Sequence, residues 1–192
     1  RQSLDEKSSG INTASCEPSF LNSNTLKIWG NIIGDDAQLL IATGITMIME
    51  DRSPRSMKFS NITIQDGAIL QLKSYYGSET DQWDMTIKRS GHVGMLTIEG
   101  GGKLIARNLH VTSDIVKVDA AGTLTLNGAG LTGGAGMGSS TGGGGYGGQG
   151  GLGADKISKP GDVHGSLYTP NRFGSGGSSA SVSYGTGGGK IR

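Results

Sequence analysis

From Thr25 the chain is written in short alternations of apolar and polar residues, parted by small turn residues. The clearest runs are Ile62-Thr63-Ile64, Ile69-Leu70-Gln71-Leu72, Met85-Thr86-Ile87, Leu96-Thr97-Ile98, Leu104-Ile105, Leu109-His110-Val111, Val116-Lys117-Val118 and Leu124-Thr125-Leu126. A period of two is the mark of a strand with one buried face, and none of these runs is long enough to be a helix. Parity sets direction. With Leu124 and Leu126 inward, Thr123 and Thr125 point out, and so do Thr63, Thr97 and Lys117. Outward Thr is ordinary β-surface chemistry.

The spacing of the runs predicts how they assemble. The run centred on residue 97 precedes the one centred on 117 by 20 residues, and the run at 104 precedes the one at 125 by 21. Such a period, with insertions tolerated at corners, predicts an all-β fold: a single-stranded parallel β-helix, a solenoid of 20–21 residues per coil with three short strands in each. The longer step before Met85 contains Tyr75-Tyr76-Gly77-Ser78-Glu79-Thr80-Asp81, read as a loop thrown out at one corner. A sandwich would call for strands of about 5–6 residues joined by hairpin turns, and Asn127-Gly128 is the single Asn-Gly pair of the chain.

Composition agrees with a narrow aliphatic column. Of 192 residues, 34% are hydrophobic and only 5% aromatic, too few aromatics for a thick core. Glycine is unevenly placed, with 12 of the 36 in residues 1–127 and 24 in the remaining 65. The chain therefore divides into a polar lead-in or cap (1–24), β-helix rungs (25–127) and a segment of long Gly-rich loops that returns to a rung at Lys190-Ile191-Arg192 (128–192). Beginning at Arg1 and ending on an interrupted strand, the chain reads as part of a longer parent protein. Its 17 basic and 16 acidic residues nearly balance, which gives no signal for nucleic acid or an anionic membrane. The longest apolar stretch, Leu39 to Met49, holds two Thr and a Gly, too short and too polar to insert across a bilayer as a helix.

The Gly-rich tract is not a simple linker repeat. Bulky residues stand alone among the glycines, which predicts an ordered loop with backbone packed closely and Tyr146, Tyr168 and Phe173 acting as pegs. Three of its stretches are GGGGYGGQGG, GSLYTPNRFGSGG and GGGKIR, following rungs such as GTLTLNGAG. In these stretches the chain resembles a recurring module of large secreted glycine-rich parallel β-helix proteins, over roughly residues 60–192. The resemblance implies a non-catalytic component of an extracellular matrix or cell surface.

Motifs that would carry other chemistry fail on context. Gly128-Ala129-Gly130-Leu131-Thr132-Gly133 fits a dinucleotide-binding pattern, but more glycines follow where the pattern needs a helix N-terminus. No nucleotide or other cofactor is expected. His92, His110 and His164 are scattered, so no metal is expected either. Cys16 is the only cysteine, which excludes an internal disulfide and leaves an intermolecular thiol as its candidate role. Asp35 and Asp36 adjoin a turn-forming Gly34, while Asp114 and Asp119 sit at strand edges, so no paired-carboxylate motif stands out.

Three functions follow. The first is a non-catalytic extracellular structural protein, a spacer, coat or fibril component that associates with itself into filaments or with other segments of its parent. The second is a glycan-binding or adhesion module, with Tyr75, Tyr76 and Trp83 as candidate contacts for sugar or partner, although these aromatics equally suit covering a rung edge. The third is a polysaccharide-degrading β-helix enzyme. Asn61-Ile62-Thr63 is an N-glycosylation sequon with Asn61 facing outward, in keeping with a secreted or cell-surface glycoprotein.

Overall fold

The computed structural model describes residues 19–22, 24–51, 55–74, 82–127, 138, 142–146, 148–153, 155–169, 171–177 and 187–192. The chain forms two compact units, residues 1–125 and 126–192. Unit 1 carries strands β1 (Ser19–Asn22), β2 (Thr25–Trp29), β3 (Ile32–Ile33), β4 (Gln38–Ile41), β5 (Thr46–Asp51), β6 (Ser56–Phe59), β7 (Asn61–Ile64), β8 (Ile69–Ser74), β9 (Trp83–Ile87), β10 (Met95–Ile98), β11 (Lys103–Ile105), β12 (Asn108–Ser113), β13 (Ile115–Val118) and β14 (Thr123–Thr125). Unit 2 carries β15 (Lys190–Ile191). No described residue is helical.

The strands of unit 1 take turns among three sheets. One runs β1-β2-β5-β8-β11-β14, a second β13-β10-β7-β4, and a third contains β12-β9-β6-β3. Every pairing is parallel except that of β1 with β2. Because each strand is only two to six residues long, it gains most of its burial from the strand above and the strand below.

Register aligns like with like. In the second sheet Leu39, Ile62, Leu96 and Val116 stand opposite one another, as do Ile41, Ile64, Ile98 and Val118. In the first, Met47, Leu70, Leu104 and Leu124 form a third column. Ile62, Ile64, Leu70, Leu96, Ile98 and Leu104 are fully buried, so these columns are the core. The outward parity of Thr63 and Lys117 holds in the same ladder. Thr97 faces outward too but is buried, flanked by Thr63 on one strand and Lys117 on the other.

The register step is not constant. Met95 pairs with Ile115, 20 residues on, and Thr25 with Thr46, 21 on, but Asn61 pairs with Met95 only after 34. The ladders stay unbroken across the longer step. The corner from the second sheet to the first repeats one device. Ile45 donates to Ala42, Ala68 to Gln65, and Gly102 to Glu99, at 2.9–3.0 Å, closing tight turns whose third residues are Gly44, Gly67 and Gly101. These three have φ of 74°, 67° and 72°, the left-handed region that a type II turn demands and that a side chain resists. The next turn closes in the same way from Gly122 to Asp119, but holds Ala121 at that place, without a positive φ.

Unit 2 is built from extended glycine segments bonded through their backbones. Gly143 donates to Gly151, Gly161 to Gly143, Gly150 to Gly161 and Gly174 to Gly188, at 2.9–3.0 Å. The approach is so close that a Cβ on Gly150 would lie 2.1 Å from the Gly143 oxygen, and one on Gly187 1.9 Å from that of Gly174. Phe173 is fully buried and acts as the expected peg. Tyr146 is half-buried; its hydroxyl accepts from the Arg172 amide at 3.3 Å and its ring meets His164 edge-on. Tyr168 is not a peg. It is 92% exposed, because Ser166 Oγ accepts from the amides of Tyr168 and Thr169 and turns that tip of chain toward solvent.

Candidate functional site

With the core filled by apolar side chains, most of the polar chemistry of unit 1 lies on outward sheet faces and at strand ends, with Arg55, Ser60 and Asn108 buried. Several side chains there serve the scaffold. Asn61, at the head of β7, accepts from the Met95 amide on the next strand through Oδ1 at 3.0 Å and is half-buried. Asn31 does the same for Ser56 at 3.0 Å, and Asp114 Oδ2 for Gly94 at 2.8 Å. Asp35 pairs with Lys58 at 2.6 Å and Asp119 with Lys117 at 3.1 Å. His110 faces outward, its Nδ1 3.1 Å from Asp84 Oδ1, which also accepts from Gln82 at 2.8 Å. Each of these carboxylates is engaged by a cation, an imidazole or an amide that fixes a strand end.

The candidate aromatic contacts fare differently. Tyr75, Tyr76 and Cys16 lie outside the described residues. Trp83 is 1% exposed and its indole N–H donates to the Lys73 carbonyl at 3.1 Å. It is the covering residue rather than a sugar contact: the ring packs inward with Met85 and Ile87, and no face is open to a ligand. Among the described residues of unit 1, Trp29 is the exposed aromatic, 39% exposed at the end of β2. The same alternation that buries Trp83 turns Trp29 out, since Ile28 beside it is buried while Met85 and Ile87 share the parity of Trp83.

Trp29 is part of a charged cluster. In register it stands opposite Glu50 on β5, which stands opposite Lys73 on β8. Lys27 Nζ lies 4.7 Å from the Trp29 ring centroid and 2.5 Å from Glu50 Oε2, and Lys73 Nζ is 3.4 Å from Glu50 Oε1. Burial pushes the Glu50 carboxyl up, but hydrogen bonding and charge from Lys27, then Lys73, outweigh it and hold it below the usual carboxylate range.

The open edge is β13. Ile115, Val116 and Val118 are exposed there, Val116 at 50% and Val118 at 44%, although their partners Leu96 and Ile98 are fully buried. At the opposite ends of the second and third sheets Ile32 on β3 and Ile41 on β4 are buried and Leu39 is half-buried. The apolar columns are thus more exposed at the β13 end than at the other.

In unit 2 His164 Nε2 lies 3.0 Å from the Phe173 carbonyl and 3.3 Å from Ser175 Oγ. A nitrogen that donates to the carbonyl has no lone pair for the serine, so the pair is not set up for nucleophilic attack. Among the described residues no group of three His, Cys, Asp or Glu could hold a metal ion, and no helix is long and apolar enough to cross a membrane.

Together these features define an all-β protein of three sheets of mainly parallel strands, with an apolar interior that takes in Phe59, Trp83, Met57 and Met85 beside the aliphatic columns. Searches against family models, curated proteins and solved structures gave no match.

Proposed function

We propose that unit 1 is a parallel β-helix, a solenoid whose coils each place one strand in each of the three sheets, and that it serves as a non-catalytic structural component outside the cell. The rotation of strands among the sheets and the in-register columns support the winding. The observation that carries the structural role is β13. Among the described strands its outer edge has no partner, and it carries exposed aliphatic residues in register with a buried core, while Ile41 at the other end of the same sheet is buried. An exposed, apolar strand edge is a template for another strand. Further coils, from the parent protein or from an assembly partner, would extend the columns by burying Val116 and Val118. Extracellular placement rests on the Asn61 sequon and on the resemblance of the Gly-rich stretches to secreted modules.

Native assemblies imaged by electron microscopy, with hydrogen exchange read at Ile115–Val118, test the role. The expected result is continuous density repeating at about 4.8 Å beyond β13, with those amides protected in the assembly and unprotected in the isolated chain. Discrete particles that end at β13, with no gain in protection, would overturn it. So would turnover of a polysaccharide by the pure chain that substitution of two carboxylates abolishes.

A further inference from the structure

The two tryptophans of the chain occupy opposite sides of one wall. Trp83 is buried and bonds the Lys73 carbonyl from within, while Trp29 lies on the outward face of the sheet to which Lys73 belongs. Across that face Trp29, Glu50 and Lys73 stand in register on successive strands. Two strand spacings, about 10 Å, separate the ring from the Lys73 position. That is the span of two sugar residues along an extended oligosaccharide.

The ring is held before any ligand arrives. Lys27 sits over it at 4.7 Å and is itself tied to Glu50, so Trp29 loses little further freedom when a flat partner stacks on its exposed part. The charge is unbalanced. Two ammonium groups share the one carboxylate of Glu50, and Lys103 adds a further cation on the same face through its register with Ile69 and Thr46. Lys73 is the available cation. Its side chain is 45% exposed and its 3.4 Å contact with Glu50 is long for a charged hydrogen bond, which leaves ammonium donors for an anion approaching from solvent. The adjoining outward rows are Lys27, Ile48 and Gln71, then Thr25, Thr46 and Ile69, so the described part of the face mixes polar side chains with two half-buried aliphatic ones.

We propose that this face binds an acidic oligosaccharide, with the apolar side of one pyranose ring on Trp29 and the carboxylate of a uronic acid residue two further along on Lys73. The aromatic ring supplies stacking and the excess positive charge selects the acid over a neutral sugar of the same shape. Lys27 and Glu50 act as positioning residues that fix the ring and the lysine. The site is separate from the β13 edge, so it stands whether or not further coils stack there.

The test is titration of the full chain with short oligogalacturonates, followed by tryptophan emission and calorimetry, with an uncharged oligosaccharide of equal length in parallel. Buried Trp83 is an internal reference. The expected result is a change in the Trp29 emission alone, and an affinity that falls as salt is raised. Trp29→Ala should weaken binding about tenfold or more while the buried emission of Trp83 persists. Lys73→Gln should weaken the acidic ligand about threefold and leave the neutral one unchanged. Three results would each overturn the proposal: no binding by the unmodified chain, equal affinity for the neutral sugar, or unchanged affinity in Lys73→Gln. The last variant keeps the test decisive if Trp29→Ala disturbs the fold, which loss of the Trp83 emission would reveal.

Discussion

Leu104 and Val116 face inward in neighbouring columns, yet the structure gives their truncation to alanine different consequences. Leu104 is 0% exposed and is sandwiched between Leu70 and Leu124. Removing three carbons there loses about 2.4 kcal/mol of transfer energy at roughly 0.8 per buried carbon. A cavity between two flanking strands that cannot close up brings the total to about 3 kcal/mol. Val116 loses two carbons, already half in water, so the transfer loss is about 0.8 kcal/mol. No cavity is added, because solvent reaches the site. Urea denaturation followed by circular dichroism reads the contrast. With a slope of about 2 kcal/mol per molar, Leu104→Ala should lower the midpoint by roughly 1.5 M and Val116→Ala by roughly 0.4 M. Stacked repeats can fray from an end, so hydrogen exchange at Leu96–Ile98 should accompany the melt and show whether both variants report the same transition. Equal midpoint shifts, or a larger one for Val116→Ala, would refute both the inward columns and the open edge.

Two further outcomes follow from electrostatics and from glycine packing. Glu50 has a folded-state pKa below its ordinary value, so its contribution to stability is complete above the usual carboxylate range and disappears as pH falls through the lowered value. Glu50→Gln should cost up to about 1 kcal/mol at pH 7 and progressively less as pH falls below the usual carboxylate range, measured as the difference in urea midpoints between the two proteins; a loss independent of pH would contradict this. In unit 2, Gly187→Ala would force a Cβ to 1.9 Å from the Gly174 oxygen, whereas a Cβ on Gly188 meets nothing within 4 Å. Limited proteolysis should therefore cut the Gly187→Ala unit faster and leave Gly188→Ala as resistant as the parent, and equal susceptibility would count against the backbone packing.

The strands were legible because their cause is local. Ile62-Thr63-Ile64 and Leu96-Thr97-Ile98 alternate in two-residue steps, and the structure pairs them in parallel with Leu96 on Ile62, Thr97 on Thr63 and Ile98 on Ile64. The constant period was less legible. The step from Leu96 to Val116 is 20 residues but that from Ile62 to Leu96 is 34, since a ladder fixes where strands lie and places no limit on the length of a corner loop. A better ruler is the turn glycine. Gly44, Gly67 and Gly101 mark the same corner on successive strands, each at positive φ, and only the backbone geometry shows that they are equivalent. Tyr168 was misread for a related reason: a large ring among glycines suggests a peg, but the Ser166 hydroxyl bonding ahead to two amides turns it outward.

The surface aromatic was written in the sequence by the same rule that located the strands. In Trp83-Asp84-Met85-Thr86-Ile87 the tryptophan shares the parity of Met85 and Ile87 and goes inward with them. In Thr25-Leu26-Lys27-Ile28-Trp29 it has the opposite parity to Leu26 and Ile28, so it goes outward beside Lys27. Proximity to the loop at Tyr75 and Tyr76 favoured Trp83, but being near a loop does not open a ring to solvent; parity does. Glu50 and Lys73 could not be joined to Trp29 from spacing, because they lie 21 and 44 residues further on and meet it only through the register of β2, β5 and β8. The interior of such a fold is thus set by neighbours in sequence, whereas any site on its outside is set by neighbours in register.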